Sequence, residues 1–214
     1  IYKLQDLNND GDAQDANEAV LFFDTINTIT EVIFSTPNGM AIGPDGALYV
    51  TNTPAGTQTD AFVARLKDND GDGVANSSDE AIIWWDLRVF NPQPTRTSRP
   101  FDVTFIGDAC YVLDVGMSPR AVFRARDANS SGIIDSNEWS TFITDTTFGA
   151  TVTQALCSDG TSLYVNQRAG GSSNPQPIFR LTDLNASNTI DDVNEVVQVW
   201  AKVNVPATRP LGTA

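Results

Sequence analysis

Short apolar runs recur along this chain in pairs, with a polar loop dividing each pair. The leading runs are Ile1–Leu4, Val63–Leu66, Val122–Ala125 and Ile178–Leu181, and the trailing runs are Ala19–Phe23, Ala81–Trp85, Ser140–Ile143 and Val196–Trp200. All are brief, rich in β-branched and aromatic residues, and bounded by turn formers, which is strand chemistry. A second hairpin fills the rest of each period. Met40 to Val50 folds about Pro44-Asp45-Gly46, Phe101 to Val112 about Gly107-Asp108, and Gln154 to Val165 about Asp159-Gly160. No helical periodicity competes with this alternation.

Four antiparallel strands in every sixty or so residues is the period of a β-propeller blade with one enlarged loop. The expected fold is therefore all-β, a propeller or propeller segment of four-stranded antiparallel blades. The expected divisions are an outer half-blade at 1–36, blades at 37–97, 98–149 and 150–206, and a stub of a further blade at 207–214. Thr208-Arg209-Pro210-Leu211 matches Ser98-Arg99-Pro100-Phe101 at the start of an innermost strand. An open arc would leave raw sheet edges, which folded proteins avoid. Three closures stand: blades in sequence beyond this stretch, a second copy of the chain, or a tight four-bladed ring.

The polar loops share one design. They open at Asp6, Asp68, Asp127 and Asp183, spaced by 62, 59 and 56 residues. Counting each opening Asp as position 1, position 3 is Asn8, Asp70, Asn129 and Asn185, and position 5 is Asp10, Asp72, Ser131 and Ser187. Position 6, where the loop must turn sharply, is Gly11, Gly73, Gly132 and Asn188, residue types that tolerate positive φ. Position 7 would offer a carbonyl (Asp12, Val74, Ile133, Thr189), and position 8 is apolar (Ala13, Ala75, Ile134, Ile190). Position 9 carries a side-chain oxygen (Gln14, Asn76, Asp135, Asp191), and Glu18, Glu80, Glu138 or Glu195 closes each loop. Oxygens at 1, 3, 5, 7 and 9 with a terminal carboxylate are what a hard cation of the calcium type requires. Up to four calcium ions are expected, with weaker binding in the last two loops, where Ser replaces Asp at position 5.

Charge follows the loops. They hold 17 of the 27 acidic residues and no Lys or Arg, so without them the net charge of −14 becomes +3. Crowding carboxylates in this way is repulsive unless a cation lies among them. The bland reading is a set of solvated turns, because Asp, Asn and Gly are ordinary turn formers. The Asn-X-Ser triplets at Asn76, Asn129 and Asn185 fall on proposed ligands and are not read as glycan sites.

The stretches Asp6–Glu18 and Met40–Val50 resemble secreted bacterial propeller proteins with calcium-type loops. The second also resembles the blade cores of NHL-type, gluconolactonase-type and quinone-dependent sugar-dehydrogenase propellers. The resemblance covers every repeat and implies the fold; such propellers host many activities, so it implies no single function. Weak-to-intermediate calcium loops fill where calcium is plentiful, so an extracellular or cell-surface location is expected. Acidity without a basic stripe argues against nucleic acid, and no apolar run is long enough for membrane insertion. A chain that starts at Ile1 inside a blade reads as processed, trimmed or part of a longer protein.

Catalytic chemistry finds little support. The chain has no His, which excludes Ser-His-Asp, Cys-His and His-ligated metal sites. The dehydrogenase relatives use a His base, so the resemblance does not carry that chemistry over. The first residues of the innermost strands, Asn38, Arg99, Gln154 and Arg209, should meet at the mouth of the axis, with Asp102 and Asp114 near. The two Arg would either hold an anion or bond neighbouring loop carbonyls. The preferred reading is a non-enzymatic, calcium-stabilised extracellular propeller with a structural or assembly role, its partners being other copies of itself. The alternative is a lactonase- or lyase-like propeller enzyme with an axial site.

Two expectations concern packing. Of Phe22-Phe23 and of Trp84-Trp85, one ring should point inward and the other out. Cys110 takes the place of Leu48 and Leu163, and Cys157 that of Ile42, so both should face the core, as buried thiols or as a cross-blade disulfide.

Overall fold

The computed structural model describes residues 1–25, 30–54, 61–88, 98–116, 119–145, 155–166 and 177–200. Strands β1 (Tyr2–Leu4) and β2 (Ala19–Leu21) form a two-stranded sheet. Three four-stranded sheets follow, in the orders β3-β4-β5-β6, β7-β8-β9-β10 and β11-β12-β13-β14. Their strands are β3 (Pro37–Ile42), β4 (Leu48–Asn52), β5 (Phe62–Leu66), β6 (Ala81–Asp86), β7 (Pro100–Ile106), β8 (Ala109–Asp114), β9 (Ala121–Ala125), β10 (Trp139–Thr144), β11 (Leu156–Ser158), β12 (Leu163–Asn166), β13 (Ile178–Leu181) and β14 (Val196–Trp200). Every pairing is antiparallel between chain neighbours. Helix among the described residues is one 3-10 turn at Val193–Glu195.

The sheets stack face to face in chain order, because each strand alternates two apolar faces and both need cover. Phe23, Val50, Ala64 and Leu66 fill the layer between the first two sheets. Tyr49, Val63, Trp85, Val112 and Phe123 fill the next, and Tyr111, Leu113, Leu163 and Phe179 the last. The first strands of consecutive sheets lie side by side, β3 against β7 and β7 against β11.

That approach is close enough to dictate a glycine. A Cβ on Gly39 would lie 2.5 Å from the Asp102 Cα and 2.4 Å from its Oδ1. Asp102 accepts the Leu156 N–H (2.8 Å) and so ties β7 to β11; burial raises its pKa above the ordinary carboxylate value. The Thr53 hydroxyl donates to the Pro100 carbonyl at 2.6 Å. A polar clamp recurs at the end of each second strand. Asn52 accepts the N–H groups of Ser35 and Thr36, buried Asp114 those of Arg99 and Gly116 plus the Ser98 hydroxyl, and Asn166 that of Ala155. Asp102 and Asp114 therefore hold backbone. Asn38 donates to Thr53 Oγ1, and Arg99 is exposed; Gln154, Arg209 and the 207–214 stub lie outside the described residues.

Two expectations about facing need correction. Trp84 and Trp85 are both buried. The register of β6 slips between Ile83, opposite Ala64, and Trp85, opposite Val63. Trp84 is thus the extra residue of a β-bulge, which breaks the alternation and turns both rings inward. Cys157 is exposed, although Cys110 is buried, and both thiols are free. Strand pairing sets Cys157 opposite Tyr164, as Ala41 is opposite Tyr49, while Ile42 corresponds to Ser158. The β3–β4 and β11–β12 turns differ in length, and the resulting one-residue offset moves the side chain to the other face.

Replacing Gly39 with Ala should destabilise the fold by about 2–3 kcal/mol, since backbone must move to admit the methyl group. Denaturant unfolding measures this, and the same change at open, exposed Gly46 would cost only its backbone conformation.

Candidate metal centres

The first acidic loop joins β1 to β2, the other three join the third and fourth strands of their sheets, and each loop's backbone is shaped by its own side chains. The Asp at position 1 accepts two N–H groups from the turn. Asp68 takes those of Gly71 and Gly73 (2.7 and 2.9 Å), and Asp6 those of Asn9 and Gly11. Asp127 takes those of Ser131 and Gly132, and Asp183 those of Ser187 and Asn188. Position 3 bonds the N–H at position 5 in all four loops, from Asn8, Asp70, Asn129 and Asn185. Position 5 bonds that at position 7, from Asp10, Asp72, Ser131 and Ser187. These are nested Asx-type turns, with a Ser hydroxyl in the Asx place at position 5 of the last two loops.

Positive φ at position 6 is present in every loop, at Gly11, Gly73, Gly132 and Asn188. Position 4 shares it, at Asn9, Gly71, Ser130 and Ala186. The sequence pattern concealed that second site, because Ser and Ala are not residues that advertise a left-handed backbone.

The closing Glu does more than end the loop. All four are buried, and each carboxylate bridges the loop's two ends. Oε1 accepts the N–H at position 2, from Leu7, Asn69, Ala128 and Leu184, each at 2.8 Å. Oε2 accepts from Asp15, Ser77, Asp135 and Asp192, three residues before each Glu. The Glu N–H returns a bond to that same residue's carbonyl, the arrangement of a capping box on a single turn. The Asp/Ser-x-x-Glu spacing was the sequence signal for it. These backbone donors hold Glu18 and Glu138 below the ordinary carboxylate range, and the Asn69 N–H is foremost in bringing Glu80 down to about 2. The Glu carbonyl then accepts the N–H just past the strand that enters the loop, at Gln5, Lys67, Arg126 and Thr182.

Position 8 fastens the loop to the preceding sheet. The Ala75 N–H donates to the Phe22 carbonyl, Ile134 to Trp84, and Ile190 to Phe142, each at 2.8 Å. The acceptors share one feature. Phe142, like Trp84, is a bulge residue, and Phe22 and Phe23 both donate to the Ile1 carbonyl. A bulge turns a carbonyl out of the strand ladder, which frees it for the incoming loop.

Carboxylate oxygens of Asp68, Asp70 and Glu80 lie within 4.8 Å of one another. In the second loop Asn76 Nδ2 donates to Asp72. In the others the position 3 amide spans the loop, from Asn8 to Asp15, Asn129 to Asp135 and Asn185 to Asp191. Gln14 enters only through its N–H, which Asp12 accepts. The hydroxyls of Ser131 and Ser187 donate to the carbonyls of Ile133 and Thr189 at 3.0 Å, so position 5 meets position 7 in the last two loops. Comparison of the chain with protein-family models, with curated proteins and with solved structures finds no match.

Gly73→Ala should cost about 1–2 kcal/mol, because the site is open and only the backbone conformation resists a methyl group. Chemical denaturation measures it. Glu80→Ala should cost roughly 2–4 kcal/mol, since four N–H groups lose their acceptor. Glu80 also sets a pH dependence in calcium-free protein. Its folded pKa lies below the ordinary glutamate value of about 4.3, so its contribution is complete above that pH and is lost as pH falls towards about 2. Acid titration of the melting temperature should show this loss, and Glu80→Gln should flatten it.

Proposed function

We propose that this chain is a calcium-stabilised extracellular β-propeller, or a segment of one, with a structural and assembly role. The carrying observation is the oxygen cluster of Asp68, Asp70 and Glu80. Calcium bonds oxygen at about 2.3–2.6 Å, so ligands facing each other across an ion stand about 5 Å apart, close to the 4.8 Å limit here. Asp72 and Asn76 lie in the same loop, and Val74 offers its carbonyl. A cation there would relieve the repulsion among carboxylates and take the place of the Asn76 side-chain amide now donated to Asp72. In the other loops Asp6, Asn8, Asp10 and Glu18, then Asp127, Asn129, Asp135 and Glu138, then Asp183, Asn185, Asp191 and Glu195 would serve alike.

The four-stranded sheets read as propeller blades because their strands run in chain order and their first strands lie side by side. An ion in each loop would brace the outer hairpin and, through position 8, the seam to the preceding blade. The extracellular assignment rests on calcium supply and the acidity of the loops. A structural role is favoured over an axial active site because Asp102 and Asp114 spend their oxygens on backbone donors and the Ser98 hydroxyl.

Calorimetric titration of chelator-stripped protein should show calcium uptake at up to four sites, the first two loops binding more tightly than the last two. Chelation should lower the melting temperature. Absence of uptake, or a melting curve unmoved by chelator, would overturn the calcium reading.

A further inference from the structure

We propose that the two ends of the sheet stack form one head-to-tail contact between copies of this chain, in which the loop at 6–18 of one copy seats on the β14 bulge of the next. This deepens the assembly role proposed above and rests on it.

Within the chain the same seam is built three times. On its leading side, a third strand turns two alternate residues toward the preceding sheet, and the loop that follows sends its position 8 N–H across. The shared bond to the closing Glu carbonyl aligns these strands, so that Tyr2 and Leu4 of β1 match Ala64 and Leu66 of β5 and Phe123 and Ala125 of β9. The later residues are buried, whereas Tyr2 and Leu4 are each 66% exposed. Ala13, the position 8 residue of the first loop, donates its N–H to no acceptor among the described residues.

On its trailing side, the seam needs a bulge carbonyl and the apolar side chain beside it. In β14 the register slips between Gln198, opposite Phe179, and Trp200, opposite Ile178, so Val199 is the bulge residue. Its counterparts Trp84 and Phe142 are covered by the next loop, and so are their neighbours Trp85 and Ile143. Val199 is 46% and Trp200 51% exposed. One end thus carries an unmatched donor with a bare apolar strand, and the other a bulge of the kind that accepts it, also bare. Each is half of an interface the molecule already makes three times, and a second copy brings the missing half. The contact joins unlike surfaces, so it propagates into a ring or an open polymer according to whether its rotation closes.

The experiment uses the whole chain in calcium, with sedimentation as the readout. The wild-type chain should reach at least twice the monomer mass. Leu4→Glu and Trp200→Glu, both at exposed positions, should each remain monomeric with wild-type melting curves. Mixed in equal amounts, the two variants should form a dimer and nothing larger, since each retains one intact end. A wild-type chain that stays monomeric, or single variants that associate as the wild type does, would overturn the contact, as would a mixture that fails to pair. Calcium uptake is measured on the same samples, so failure of the contact is distinguishable from failure of the calcium reading.

Discussion

The hydrogen bond from the position 8 N–H of a loop to a bulge carbonyl of the preceding sheet is the link on which the architecture depends. Antiparallel hairpins alone would give separate ribbons, each marginal in water. Apolar faces would press them together, but area is not directional and fixes no rotation between sheets. The loop bond supplies that direction three times at the same length. It works only if the loop is rigid and the strand opens a carbonyl. The buried Glu provides the first by joining the loop's two ends, and the bulge provides the second. Trp84 and Phe142 therefore serve packing and hydrogen bonding at one position.

Much of this was legible in the residues. The strand segments, the hairpin turns, the left-handed position 6 and the apolar position 8, buried in the last three loops, all follow from patterns with a local cause. The rest depends on partners distant in sequence or on backbone the side chains do not announce. Position 4 adopts positive φ with Ser130 and Ala186, where the nested turns impose it and a short polar or small side chain merely tolerates it. The bulges move both Trp84 and Trp85 inward although strict alternation forbids that. Cys157 lies one residue away from the place its sequence suggests because turn lengths differ between repeats, and a single step reverses a strand's face. The closing Glu carried two signals at once. Its distance from the opening Asp suggests a ligand, and its spacing from Asp15, Ser77, Asp135 and Asp192 identifies a cap.

Those two roles for the Glu need not compete, because a carboxylate oxygen has more than one lone-pair direction. With Oε1 on one end of the loop and Oε2 on the other, the Glu shapes the cavity before any ion arrives. Loops arranged by their own backbone donors would lose little conformational freedom on taking up calcium, unlike small metal domains that fold only with the metal. The cost that remains is electrostatic and differs between loops. The first two gather five acidic residues each, so an ion would relieve more repulsion there than in the others. In the last two, the Ser131 and Ser187 hydroxyls already satisfy the position 7 carbonyls, and a cation would have to displace those bonds while meeting fewer charges. On the proposed calcium reading, the sequence gradient from Asp to Ser at position 5 would become a gradient in how much each seam depends on the ion. If the loops bind calcium as proposed, complete removal of the ion should loosen the seam fastened by the second loop most, while those fastened by the third and fourth loops keep their Ser hydroxyl bonds.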